Sequence, residues 1–192
     1  MGFLDSVKRA LRLIKLDGNA AIEIASETSS TIYGSIIILV AGLLSTSLVF
    51  ILTPPFDVQA FSVQLIENLG EIIIMILVFH GLAKIFRGQA SLVEYFRAQS
   101  HISIIFIVFN IIELPIFFAK LPIIIFTIIG YLVYLWGLIM SIVVLKSVHK
   151  LSTGKSILVA LVIPLVILLI LILIGAAAYF GVLNPDQFLP VK

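Results

Sequence analysis

Long apolar stretches dominate the pattern of hydrophobic and polar positions along this chain. A helix that crosses a membrane needs roughly 20 mostly apolar residues. Five stretches reach this length, and polar connectors separate most of them: residues 32–52, 65–86, 101–119, 123–145 and 157–181. The pattern therefore predicts an all-α membrane protein, built as a five-helix transmembrane bundle.

The first 31 residues have a different pattern, in which charged and apolar positions alternate with the period of a helix. At 100° per residue, Leu4, Leu11 and their apolar neighbours share one half of the helix. The other half carries Lys8, Arg9, Arg12 and Lys15. This favours an amphipathic helix that lies in the membrane interface, with its cations toward anionic headgroups. The alternative is a helix packed beneath the bundle against its inner loops.

A break at Gly18 and Asn19 separates this helix from a second predicted helical piece, residues 20–28. That piece has little charge bias, and the sequence gives it no role.

The composition identifies lipid as the main surroundings of the chain. Hydrophobic residues make up 61% and charged residues 11%, with a mean hydropathy of +1.27. A soluble domain is nearer 45–50% apolar and about a quarter charged. The predicted partner is thus the lipid bilayer. A formal net charge of +2 does not indicate nucleic-acid binding, and the lack of cysteine excludes disulfides and thiolate metal sites.

The cationic residues predict the orientation of the bundle through the positive-inside rule. Ten of the 12 fall in the N-terminal segment and in the connectors after the second and fourth stretches: Lys8, Arg9, Arg12, Lys15, Lys84, Arg87, Arg97, Lys146, Lys150 and Lys155. Only Lys120 and Lys192 fall on the opposite side. We therefore expect a cytoplasmic segment 1–31, a transmembrane domain 32–181 and an outer tail 182–192, in a prokaryotic cell membrane.

Catalytic chemistry has no clear signature in the sequence. The nucleophile and metalloprotease motifs are absent, and no catalytic, cofactor-binding or metal-binding residue is predicted. His80, His101 and His149 are expected near the inner ends of helices, without the spacing of a zinc site. The expected cofactor is none, and the expected class is not an enzyme.

Polar residues inside the apolar stretches give the one candidate cluster. Glu71 and Glu113 are expected in the outer part of the membrane, where an ionised acid is costly unless it faces inward or is paired. Asn110 and Glu113 share one helical face, and Lys120 is within reach as a counter-charge. Two interpretations remain: a proton or cation site, and hydrogen-bonded contacts that hold helices together.

Two shorter patterns concern turns and packing. Shifting the chain by 66 residues superposes residues 84–93 on 150–159, which indicates a duplicated hairpin with inner turns at Gly88, Gly154 and Lys155. In the fourth stretch, Gly137 and Ser141 form a small-xxx-small pair, which is typical of close helix–helix packing.

Two segments resemble a known family. The inner run FRGQASLVEYFRAQSHISI (residues 86–104) and the run YLWGLIMSIVVLKSVHKLSTGKSILVALVIP (residues 134–164) are similar to the Yip-domain (Ypt/Rab-interacting protein) family. The resemblance covers roughly residues 32–181. It implies a non-enzymatic protein with five spans. Eukaryotic members bind small GTPases during vesicle traffic, but their Asp-Leu-Tyr-Gly-Pro signature is absent here, so the chain resembles a prokaryotic-type member.

These observations predict a membrane scaffold or adaptor that acts in membrane organisation or trafficking and has a cytoplasmic protein partner. The alternative is a small transporter or channel that uses Glu71, Asn110 and Glu113, formed as a homo-oligomer.

Overall fold

The computed structural model describes residues 2–52, 56–118 and 123–179. All regular structure in these ranges is helical, which confirms an all-α protein. The helices are α1 (Phe3–Ile14), α2 (Gly18–Ser26), α3 (Ser30–Leu52), α4 (Val58–Ile85), α5 (Leu92–Ser100), α6 (Ile104–Phe118), α7 (Ile123–Val148) and α8 (Thr153–Tyr179). A single 3₁₀ turn, His101–Ser103, joins α5 to α6.

Four helical segments in the described ranges are long and apolar enough to cross a membrane: Ser30–Ile51, Val58–Ile85, Leu92–Leu114 and Ile124–Val148. The third runs through α5, the 3₁₀ turn and α6. Helix α8 is 27 residues long. Among the described residues, its Thr153–Val162 part forms a shorter apolar stretch. Large apolar side chains such as Ile66, Ile74 and Leu132 are exposed along these helices. An integral membrane protein whose helices contact lipid is therefore supported.

The long helices pack around a common centre. Helix α3 contacts α4 on one side and α6 on the other, α6 contacts α7, and α8 contacts both α7 and α4. The short helices α1, α2 and α5 pack across one end of this arrangement, where α2 contacts both α5 and α7. Among the described residues, the largest fully buried side chains concentrate at this end, including Tyr95, Phe79 and Leu13.

Side-chain caps define where several helices begin. The Asp17 carboxylate accepts hydrogen bonds from the backbone N–H groups of Asn19 and Ala20, so α2 begins at Gly18. Asp57 caps α4 in the same way, and α4 therefore extends seven residues beyond the predicted start of the second span. Ser91 and Glu94 form a reciprocal capping box at the start of α5.

Helix α2 lies at the centre of the end formed by α1, α2 and α5. Ala20, Ala21, Ile24 and Ala25 are buried there. Small side chains let the backbone of α2 approach its neighbours closely. The segment that had no predicted role is thus part of the core.

Helix α1 is anchored along one strip. Ser6, Ala10 and Leu13 are completely buried against the bundle. Leu4 and Leu11 are 73% and 44% exposed. At mid-length of α7, the Trp136 Nε1–H donates to the Ile14 carbonyl oxygen at 3.0 Å. One strip of α1 therefore packs on the bundle, and Leu4 and Leu11 remain exposed outside it.

The predicted 66-residue duplication is wrong in its register. It aligns Lys84 with Lys150, but Lys84 lies in the last turn of α4, whereas Lys150 follows the end of α7. The serines that begin the next helices, Ser91 and Ser152, do not align under this shift. The two hairpins share a feature of a different kind: Arg87 and Lys150 both adopt positive φ, 67° and 54°, just after a helix ends.

Candidate functional site

The described cations gather at one end of the molecule, which we call the cationic end. It comprises α1, α2, α5 and the 3₁₀ turn, together with the last turns of α4 and α7 and the first turn of α8. The two hairpin loops meet there, since the Gln89 N–H donates to the His149 carbonyl oxygen at 3.0 Å. Arg97 donates to the Ala25 carbonyl oxygen at 3.1 Å and to the Thr31 hydroxyl at 2.8 Å. All ten cations predicted on the inner side lie on these elements or in the loops that join them.

Two of the four N-terminal cations form ion pairs with acidic side chains of the cationic end. Arg12 contacts the Asp17 carboxylate at 2.7 Å and the Glu23 carboxylate at 3.0 Å, and Arg9 contacts Glu23 at 3.2 Å. The hydrogen bond from Arg12 lowers the pKa of Asp17, and the hydrogen bonds to Asp17 and Glu23 raise the pKa of Arg12. These guanidinium groups therefore help to join α1 to α2.

The other two cations extend into the surroundings. The Lys8 side chain is 77% exposed and lies 3.9 Å from the Asp5 carboxylate. Lys15 is also exposed. Because Leu4 and Leu11 are exposed on the same helix, α1 presents both apolar and cationic groups outside the bundle.

A buried hydrogen-bond chain attaches α1 to the centre of the cationic end. The His101 Nδ1–H donates to the Arg97 carbonyl oxygen at 2.6 Å. Since Nδ1 carries the hydrogen, Nε2 is free to accept from the Ser6 hydroxyl, at 2.6 Å. His101 and Ser6 are both fully buried. The sequence does not indicate this pairing, because 95 residues separate the partners.

A second histidine contact lies where α4, α5 and α7 meet. His80 Nδ1 and His149 Nε2 are 3.3 Å apart, and both rings lie against the Tyr95 ring, with centroid distances of 5.9 and 4.9 Å. Burial, helped by the nearby His80 and Lys84, lowers the pKa of His149 to about 4. This imidazole is therefore neutral at neutral pH. No group of three metal-ligating side chains exists among the described residues.

A cavity of about 460 Å³ lies between α3, α4, α7 and the α5–α6 segment. Its deep walls are buried side chains, including Ile76, Phe79 and Ile102. The exposed residues of its lining include Glu71 on α4 and Tyr131 and Tyr134 on α7. The volume falls within the range of sites for small molecules.

Most polar groups of the cavity are occupied by the protein itself. The Gln99 amide donates to the Ser141 hydroxyl at 2.8 Å, and Ser141 donates to the Gly137 carbonyl oxygen at 2.9 Å. The Asn68 amide donates to the Thr46 hydroxyl at 3.0 Å. Glu71 has no hydrogen-bond or ion-pair partner among the residues that the structure describes.

The three residues of the predicted intramembrane cluster have different surroundings. Glu71 lines the cavity, Asn110 donates to the Ser45 hydroxyl at 2.9 Å, and Ser45 also lines the cavity. Glu113 is half-buried and is not part of the lining. Lys120 lies outside the described residues. The geometry thus associates Glu71 and Asn110 with one cavity and separates Glu113 from it.

The glycines singled out from the sequence differ in their surroundings. Gly88 lies in the loop between α4 and α5, where an added Cβ would come within 2.6 Å of His149 Nδ1. Gly154 and Lys155 lie in the first turn of α8 and not in a preceding turn. The expected packing at Gly137 is wrong: an added Cβ would meet no atom within 4 Å, because Gly137 faces the cavity.

Comparison with known proteins gives one match. The family model described as the Yip1 domain matches residues 18–175. No curated protein and no solved structure gives a significant match. The matched range begins with α2 and includes most of α8, so it covers the cavity and most of the cationic end.

Proposed function

The chain belongs to the Yip1 domain family, and we propose that it is a membrane scaffold or adaptor without enzymatic activity, which acts in membrane organisation or trafficking. The observation that carries this proposal is the cationic end. Helix α1 presents exposed cations and exposed apolar side chains together there. Further exposed cations lie elsewhere at the same end: Lys84, Arg87, Lys146, Lys150 and Lys155.

The proposed topology has five spans, with α8 as the fifth. The 27 residues of α8 extend about 40 Å at 1.5 Å per residue, which exceeds a hydrocarbon core of about 30 Å. The cationic end then lies in the cytoplasm by the positive-inside rule, and the C-terminus lies outside a prokaryotic cell membrane.

The lack of native cysteine makes this topology directly measurable. Single cysteines placed at Lys150 and at Val58 lie at the cationic end and at the opposite end of α4, and both positions are exposed. A thiol reagent that does not cross membranes should label the Val58→Cys variant in intact cells. It should label the Lys150→Cys variant only after the membrane is opened. The reverse result would contradict the proposed orientation.

The proposed contact surface is the free side of α1. Leu4 and Leu11 fit the acyl boundary of the cytoplasmic leaflet, and Lys8 and Lys15 fit its anionic headgroups and an acidic partner. Arg9 and Arg12 contribute less to this surface, because Glu23 and Asp17 already bind their guanidinium groups.

Charge reversal at Lys8 and Lys15 tests the adaptor role. Cross-linked affinity purification from native membranes should recover a protein partner with the wild type and with the charge-preserving Lys8→Arg/Lys15→Arg variant. The Lys8→Glu/Lys15→Glu variant should lose it. Equal recovery with the reversed charges would refute this surface. Reversal at Arg9 or Arg12 is a poorer test, since it also breaks the contacts that join α1 to α2.

The transporter alternative has less geometric support. It requires Glu71, Asn110 and Glu113 to act together, and Glu113 is absent from the cavity lining. Recovery of a homo-oligomer alone, without another protein, would favour this alternative.

A further inference from the structure

The cavity beside Glu71 combines three properties that together indicate the chemistry of a ligand. It lies within the candidate membrane-spanning segments, it is lined mainly by apolar and aromatic side chains, and it holds one carboxylate. No Lys, Arg or His side chain is found in its lining among the described residues. An ionised carboxylate in a membrane is costly unless a counter-charge or water compensates it.

None of the other polar side chains in the described lining forms a hydrogen bond with Glu71. The side-chain amides of Gln99 and Asn68 donate to Ser141 and Thr46. The Ser141 hydroxyl donates to a backbone carbonyl oxygen. Glu71 is therefore left as the one charged and unpaired group of the described lining.

Aromatic rings surround the same space. Phe79, Phe106, Tyr131 and Tyr134 all line the cavity. Aromatic faces attract organic cations, and they do so more strongly where water is excluded. A carboxylate combined with several rings thus favours a cation with an apolar body, over an anion or a strongly hydrated metal ion.

The depth of Glu71 separates two sources of such a cation. Thirteen residues of α4 precede Glu71 and 14 follow it. At 1.5 Å per residue, the backbone of Glu71 therefore lies about 20 Å along the helix axis from either end of α4. The amine headgroup of a lipid remains at the membrane surface. A small organic cation can enter the cavity entirely.

We propose that this cavity binds a small monovalent organic cation, an amine or quaternary ammonium with an alkyl or aromatic body, whose charge pairs with Glu71. The body contacts Phe79 and Phe106, and the ammonium group lies toward Glu71 and Tyr134. This proposal does not depend on the scaffold role, because it concerns the cavity and not the surface of α1.

The test uses radiolabelled benzyltrimethylammonium and the full chain in phosphatidylcholine nanodiscs, with empty nanodiscs as the background. Saturable binding is expected. The Glu71→Gln variant should weaken it at least tenfold. Glu67→Gln, which changes an exposed carboxylate one turn earlier on the same helix and outside the lining, should leave it unchanged.

A second variant fills the cavity without touching the carboxylate. Gly137→Leu projects into the cavity, where an added Cβ meets nothing within 4 Å, so it should fold and abolish binding. Neopentylbenzene, in which carbon replaces the charged nitrogen, should compete at least tenfold more weakly than unlabelled benzyltrimethylammonium.

Three results would overturn the proposal. The first is no saturable binding to the wild type. The second is equal binding to the wild type and the Glu71→Gln variant, or equal competition by neopentylbenzene. Either result would mean that the cavity binds apolar molecules without selecting for a positive charge. The third is a co-purified lipid with an amine headgroup, seen by native mass spectrometry and lost in Glu71→Gln, because the ligand would then be a lipid.

Discussion

Helix α3 approaches the cationic end closely at Gly34, and this contact gives a quantitative test of the packing. A Cβ built at Gly34 collides with Ser100 Oγ, lies 3.0 Å from Ser100 Cβ and lies 3.3 Å from His101 Cε1. Neither neighbour can move easily, because Ser100 is buried in the last turn of α5 and hydrogen bonds hold both ring nitrogens of His101.

The magnitude follows from two opposing effects in the Gly34→Ala variant. Overpacking of a buried site costs about 1–3 kcal/mol, and the replacement of glycine by alanine within a helix returns roughly 0.5–1 kcal/mol. The expected net result is a loss of about 0–2.5 kcal/mol in the free energy of unfolding, with a central value of about 1 kcal/mol. The matched control is Gly70→Ala in α4, where an added Cβ meets nothing within 4 Å. This control should gain stability.

The assay is denaturant titration in detergent, followed by the fluorescence of the single tryptophan, Trp136. Ser100→Ala removes the oxygen atom that the new methyl group meets, so the double variant Gly34→Ala/Ser100→Ala should recover part of the loss. Equal stability of Gly34→Ala and Gly70→Ala would refute the close approach of α3 to α5.

Four further predictions use the same titration. Ser6→Ala should cost about 1–3 kcal/mol, because it leaves the buried Nε2 of His101 unpaired; a loss below 0.5 kcal/mol (roughly the error of such data) would contradict the bond. Ser91→Ala should cost about 1 kcal/mol through loss of the α5 cap, whereas Ser91→Thr should cost little. Lys150→Gly should stabilise the protein by about 1 kcal/mol, since it removes a side chain from a residue with φ of 54°. Between pH 6.5 and 4 the unfolded chain takes up the His149 proton and the folded chain does not, so stability should fall as pH falls, and less steeply in His149→Gln.

The sequence predicts the all-α membrane class because lipid requires long apolar helices. A long apolar stretch is a local feature, which can be recognised without knowing which other parts of the chain it contacts. It also predicts that the cations gather at one side. It gives no signal for the role of α2, since that role depends on small side chains such as Ala20 and Ala21 approaching helices α5 and α7, which are distant in sequence.

The electrostatics of α1 show the same limit. The helical wheel places Arg9 and Arg12 beside Lys8 and Lys15 as equivalent cations. The structure distinguishes them, because the chain reverses near Leu16, which has φ of 64°, and brings Glu23 onto two of the four.

The sequence also carries no signal for the cavity. The sequence identifies Glu71 as a polar residue in an apolar stretch, but the space beside it is formed by α3, α4, α7 and the α5–α6 segment together. The small-xxx-small pattern indicated close packing at Gly137, where the structure has open space. Local composition cannot distinguish a glycine that permits contact from one that borders a cavity.

Site-specific photo-cross-linking in native membranes is a direct test of the proposed adaptor role. A benzophenone amino acid is introduced at Lys8, at Lys15 and at Val58, the last of which is exposed at the opposite end of α4. A discrete protein adduct is expected from Lys8 or Lys15, and none of the same mass from Val58. Adducts from Val58 alone, or only lipid adducts at both α1 positions, would contradict it.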